Sequence, residues 1–69
     1  MKVKDLSTGE YTLVIRLRNS GELRRLKGEV VEIKGEKHFV THQSPKKSFA
    51  PNTQVIWHRK KNEVKAGKN

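Results

Sequence analysis

Arginines on both sides of a tight turn are the first residues in this sequence that could bind a charged ligand. The turn Asn-Ser-Gly (residues 19–21) is typical of a three-residue hairpin loop in which Gly21 takes the left-handed backbone conformation. Arg16 and Arg18 precede the turn, and Arg24 follows it. Because a guanidinium group matches two phosphate oxygens at once, arginines gathered on one face would form a phosphate-binding site.

The register of this hairpin decides which arginines share a face. A three-residue loop pairs Arg18 with Glu22, Leu17 with Leu23, and Arg16 with Arg24. In this register Arg16, Arg18 and Arg24 project from one face, whereas Arg25 points to the other. Like charges directly opposite each other are destabilising. Arg16 and Arg24 are therefore expected either to extend apart into solvent or to bind phosphate together.

A second group of basic residues lies in the last third of the chain. The tetrapeptide Ser-Pro-Lys-Lys (residues 44–47) resembles the turn motif in the tails of linker histones, which lies in the minor groove of A·T-rich DNA. The resemblance implies that Lys46 and Lys47 face phosphates, and an ordinary exposed loop is the alternative. The last predicted strand ends in a basic run that would extend this surface: His58, Arg59, Lys60 and Lys61.

Trp57 is the only tryptophan and has two interpretations. Along the last predicted strand it alternates with Val55 and Arg59. Since tryptophan is the largest apolar side chain available to a small core, the sequence favours a buried Trp57. The alternative is a stacking platform for an unpaired base, flanked by His58 and Arg59.

The residue inventory argues against catalysis and metal binding. The chain has one aspartate, Asp5, three histidines and no cysteine. His38 and His42 are four residues apart, which on a strand is about 13 Å, so they could not share one metal ion. The glutamates mostly neighbour basic residues in predicted turns. We therefore expect no catalytic residues, no metal site and no cofactor.

The elements that must position these residues are predicted to be strands. Residues 11–18 alternate between apolar and polar, residues 23–33 form a longer strand that changes parity near Gly28, and a bulge or bend is expected there. Further strands are predicted at residues 38–42 and 53–59, with a short edge strand at residues 2–4. The fold class is all-β, a small single-domain antiparallel sheet curled into an SH3-, Sm- or OB-like barrel with little or no helix. Residues 1–61 would form this domain, and residues 62–69 a basic flexible tail.

Charge is the strongest compositional signal. The 69 residues include 16 Lys and Arg against 7 Asp and Glu, which gives a net charge of +9. The isoelectric point is about 10.3. Such a balance in a small domain is typical of nucleic-acid binding. The missing cysteines and the lack of a long apolar run favour a cytoplasmic protein without a membrane span. A core this small is also compatible with a homo-oligomer.

The sequence therefore predicts a non-catalytic protein that binds DNA or RNA. The expected contact residues are Arg16, Arg18, Arg24, Lys46, Lys47, Trp57, His58, Arg59, Lys60 and Lys61. The alternative is a small regulatory module, of the kind that phages or other mobile elements encode, which docks on an acidic surface of a larger protein partner.

Overall fold

Residues 1–61 are described by the structure, a computed structural model, as one antiparallel sheet of five strands. The strands are β1 (Gly9–Arg16), β2 (Leu23–Ile33), β3 (Glu36–Thr41), β4 (Ser48–Phe49) and β5 (Gln54–Lys60). Their order across the sheet is β4-β3-β2-β1-β5. The tail predicted at residues 62–69 lies outside the described residues.

The predicted all-β class is confirmed, but the sheet does not close into a barrel. β4 and β5 form its two edges, and no pairing between them joins the ends in the part of the chain described. The expected edge strand at residues 2–4 is wrong, because Val3–Asp5 form a 3₁₀ turn. Only Lys2 retains a bridge to β5, at Gln54.

The core lies on one face of the sheet, beneath the N-terminal 3₁₀ turn. Leu13, Ile15, Val30 and Phe39 are fully buried there. Val3, also fully buried, covers this layer from the 3₁₀ turn. Each such side chain contributes about 1.5–3 kcal/mol when removed from water. This burial is what holds the curled sheet together.

The β1–β2 register differs by one residue from the predicted one. Arg16 pairs with Leu23 and Ile15 with Arg24, so the loop has four residues, 18–21. The Leu17 amide donates to the Glu22 carbonyl at 2.7 Å and closes this loop. Gly21 does take the predicted left-handed conformation, with φ of 73°.

The alignment of the apolar residues of β2 with the buried face of β1 explains why this register is adopted. It places Leu26 opposite Leu13 and Val30 opposite Gly9, on the buried face of the sheet. The predicted register would have turned Leu26 and Val30 to the opposite face, since a shift of one residue exchanges the two faces of a strand. The burial of these side chains outweighs the preference of the turn sequence for a three-residue loop.

Of the bulge or bend expected near Gly28, the bulge is absent, and a bulge lies in β5 instead. β2 pairs without interruption with β1 from Leu23 to Val30 and with β3 from Gly28 to Ile33, so no extra residue is inserted at Gly28. In β5, Trp57 pairs with Val14 and Val55 with Ile15, so Ile56 is an extra residue between them. An extra residue interrupts the alternation of side chains. Val55 is consequently buried at 4% exposure, while Trp57 is 45% exposed on the other face.

Candidate nucleic-acid interface

The sheet face opposite the core, called the outer face below, combines polar, basic and aromatic side chains. Cross-strand pairing across β5, β1 and β2 sets them in three rows. These rows are Gln54–Arg16–Leu23, Trp57–Val14–Arg25 and Arg59–Thr12–Lys27. Three of the nine positions are arginine and one is lysine, so this part of the outer face is strongly basic.

A groove of about 450 Å³, called the basic groove below, lies on the outer face around Thr12. Its cationic lining comes from Arg25 and Lys27 on one side and from Arg59 on the other. These two sides are separated by the width of β1, about 10 Å, because neighbouring strands lie about 4.8 Å apart. His42 and Lys61 also line it. Two strands, β2 and β5, thus supply cations to a single concave surface.

The three central cations of the basic groove have no carboxylate partner among residues 1–61. Arg25, Lys27 and Arg59 take part in no ion pair there. No side-chain hydrogen bond engages them in that range either. All three are exposed. Their N–H groups are therefore available to an anionic ligand without the loss of an existing bond.

Two glutamates limit the basic surface at one end. Glu10 and Glu29 lie directly opposite each other on the outer face, one row beyond Thr12, and Glu10 itself lines the basic groove. Lys61 approaches Glu10 at 3.6 Å, Nζ to Oε1. Since Glu29 forms no ion pair among the described residues, this end repels phosphate. The attractive region extends the other way, from Arg59 and Lys27 toward Arg16.

The basic run at the end of β5 divides between the two faces of the sheet. Arg59 lies on the outer face, opposite Thr12. Lys60 pairs with Tyr11, and its Nζ donates to Ser7 Oγ at 3.0 Å. His58 packs edge-on against Tyr11, with ring centroids 6.3 Å apart. Only part of the predicted run therefore contributes its side chains to the outer face.

The predicted arginine cluster at the hairpin does not form. Arg16 lies on the outer face and its Nη1 donates to the Gly21 carbonyl at 3.1 Å. Arg24 lies on the other face and pairs with Glu22 at 3.1 Å, so Glu22 does not pair with Arg18 as predicted. The one-residue difference in register is the cause, because it exchanges the faces of Arg24 and Arg25.

Two further groups of predicted residues lie away from the basic groove. Arg16 and Arg18 line a separate cleft between the β1–β2 loop and residues 49–54. Lys46 and Lys47 are exposed in the β3–β4 connection, where the Lys47 amide donates to Thr41 Oγ1 at 2.9 Å. Neither lysine lines the groove. The predicted loop lysines therefore do not form part of the basic groove.

Sequence reasoning missed Arg25 and Lys27, which are central to the basic groove. Both alternate with Leu26 along β2 and therefore lie on the face opposite that apolar residue. Aligning Leu26 and Val30 with the apolar face of β1 would have turned both cations outward. The alternation of β2 therefore indicated the outward orientation of Arg25 and Lys27. The register predicted from the turn residues led to the opposite assignment.

Comparison with known proteins adds no precedent: no family model, no curated protein and no solved structure matches the chain. Within residues 1–61, no group of three or more acidic or histidine side chains could hold a metal ion. No helix in the same range is long and apolar enough to cross a membrane. Function is therefore inferred from the chemistry of the outer face.

Proposed function

We propose that this protein binds DNA or RNA through the outer face, without catalysis, and that phosphates occupy the basic groove. One observation carries the proposal. Arg25, Lys27 and Arg59 converge from two strands on one concave surface, with no carboxylate partner among the described residues. Guanidinium and ammonium groups in this arrangement suit the oxygens of a phosphodiester backbone.

Phosphate neutralisation supplies most of the expected affinity. Each phosphate contact releases condensed counterions, which contributes a slope of about −0.9 for duplex DNA and about −0.7 for single strands in log K against log salt. Three groove cations therefore predict a slope of about −2 to −3, and other cations of the +9 chain would steepen it. Binding of this kind is modest, with Kd of about 10⁻⁴ to 10⁻⁶ M at physiological salt.

The same features predict little sequence specificity. Phosphate contacts fix position and orientation but do not read bases. Among residues 1–61 the only helical element is the three-residue 3₁₀ turn, so none is suited to fill a major groove. We therefore propose that the protein binds the nucleic-acid backbone without regard to base sequence. We propose the cytoplasm as the place where it acts.

The test is a salt titration of the unmodified protein. Binding to single-stranded DNA, duplex DNA and RNA of equal length is measured by fluorescence anisotropy between about 50 and 200 mM salt. We expect binding that weakens steeply with salt for at least one of the three. No binding to any of them at about 50 mM would contradict the proposal and would favour the acidic protein partner.

A further inference from the structure

We infer that the outer face is a site for single-stranded nucleic acid in which Trp57 stacks on an unpaired base. This inference rests on the proposed function and specifies its ligand. It starts from the position of Trp57, which is opposite Val14 and two residues before Arg59 on the same face.

The bulge in β5 is what makes the indole available. Ile56 is the extra residue, and it separates the buried Val55 from Trp57, which is 45% exposed. A regular strand would have placed both side chains on one face. The largest apolar side chain of a small protein is thereby left on the basic face and not in the core.

The charges around Trp57 suit one nucleotide and its flanking phosphates. Arg59 follows on the same strand at about 7 Å, two strand residues away. Arg25 lies in the same row as Trp57, across β1, at about 10 Å. Both side chains are long enough to reach toward the indole. A base on Trp57 would therefore have a guanidinium group on either side for its backbone.

Base stacking distinguishes a single strand from a duplex. In a duplex the base faces are covered by their neighbours, so an indole on a sheet face has no base plane to contact. An unpaired base presents its face to any aromatic side chain, whatever its identity. A duplex could use the cations of the basic groove but not Trp57.

The experiment separates the base from the phosphates. The probes are an oligodeoxythymidylate and an oligouridylate of about 12 nucleotides, an abasic strand of the same length, and a matching duplex. The proteins are the unmodified chain, Trp57→Ala, Trp57→Phe and the control Ile56→Ala. Ile56 is a suitable control because it adjoins Trp57 on β5 and is equally exposed, at 44%.

We expect oligodeoxythymidylate, oligouridylate or both to quench Trp57 fluorescence. The same strands should bind Trp57→Ala about tenfold more weakly than they bind the unmodified protein. Trp57→Phe should retain most of the affinity and Ile56→Ala all of it. The abasic strand and the duplex should bind Trp57→Ala and the unmodified protein alike.

Each other outcome has a distinct meaning. If Trp57→Ala loses as much affinity for the abasic strand as for the strands that carry bases, or loses none for any strand, the stacking role is overturned while phosphate binding stays intact. Binding to no nucleic acid would overturn the proposed function itself. Dimerisation that Trp57→Ala abolishes, without an effect on strand binding, would show that Trp57 serves a second copy of the chain and would likewise overturn the inference.

Discussion

Gly28 determines how closely β2 and β3 approach each other beneath the basic groove. It is buried, and it pairs with Tyr11 on β1 and with Thr41 on β3. A Cβ at this position would collide with the Val40 carbonyl oxygen and would lie 2.9 Å from the Phe39 ring. The absence of a side chain is required here by space and not by backbone conformation.

We expect Gly28→Ala to lower the free energy of unfolding by about 3 kcal/mol, because the fully buried Phe39 and the β3 backbone cannot move aside cheaply. Urea denaturation measures the change. Gly35→Ala is the control: nothing lies within 4 Å of its Cβ, and only its φ of 81° opposes a side chain. Its expected cost is about 1 kcal/mol. Equal costs for the two substitutions would show that Gly28 is not at a close contact.

The bulge in β5 is the element that gives the outer face its aromatic side chain. It predicts that Trp57 emits as a solvent-exposed indole and is accessible to ionic quenchers. Because Arg25 and Arg59 lie on the same face, the ratio of iodide quenching to caesium quenching should be higher for Trp57 than for free tryptophan, as a basic surface concentrates anions. A blue-shifted emission that neither ion quenches would place Trp57 in the core and contradict the bulge.

The strands could largely be predicted from the sequence, whereas their registers could not. Alternation located β1, β2, β3 and β5, because half-buried strands leave a period of two in the apolar residues. The hairpin register was predicted from the turn residues, and the alignment of Leu26 and Val30 with the core face of β1 overrode that preference. The predicted register consequently put Arg24 on the outer face, which Arg25 occupies instead.

The orientation of Trp57 was not predictable for a related reason. Val55 and Trp57 are both apolar and two residues apart, so uninterrupted alternation is the simplest interpretation. A bulge requires one residue more on β5 than on β1, and nothing in the composition of residues 54–60 marks Ile56 as that residue. The basic character of the strand end was predictable, but the division of its side chains between faces depends on this single insertion.

At the scale of the whole molecule, the N-terminal segment covers the apolar face that the open sheet alone would leave in contact with water. The Val3 amide donates to the Thr53 carbonyl at 3.1 Å, and the Val55 amide donates to the Met1 carbonyl at 2.7 Å. Lys37 Nζ donates to the Leu6 carbonyl at 2.8 Å and joins this segment to β3. These contacts connect the two sides of the curled sheet without strand pairing between β4 and β5.

Val3→Ala should therefore lower the free energy of unfolding by about 2 kcal/mol, as a buried side chain is truncated and a cavity is left. Its position near the start of the chain would otherwise favour a negligible effect. Lys4→Ala is the control, because Lys4 is exposed on the same 3₁₀ turn, and it should change stability by less than about 0.5 kcal/mol. Urea denaturation of both variants measures the difference, and equal stabilities would show that the segment does not close the core.

The central claim, that the outer face binds phosphates, is tested most directly by comparing two variants of equal charge. Arg25→Gln with Lys27→Gln removes two cations from the basic groove, and Arg24→Gln with Lys4→Gln removes two cations elsewhere. The measurement is the slope of log K against log salt for one oligonucleotide. We predict that the groove variant lowers the magnitude of this slope by about 1.4 to 1.8, the contribution of two phosphate contacts, while the control leaves it nearly unchanged. An equal loss of slope in both variants, or a loss only in the control, would contradict the claim.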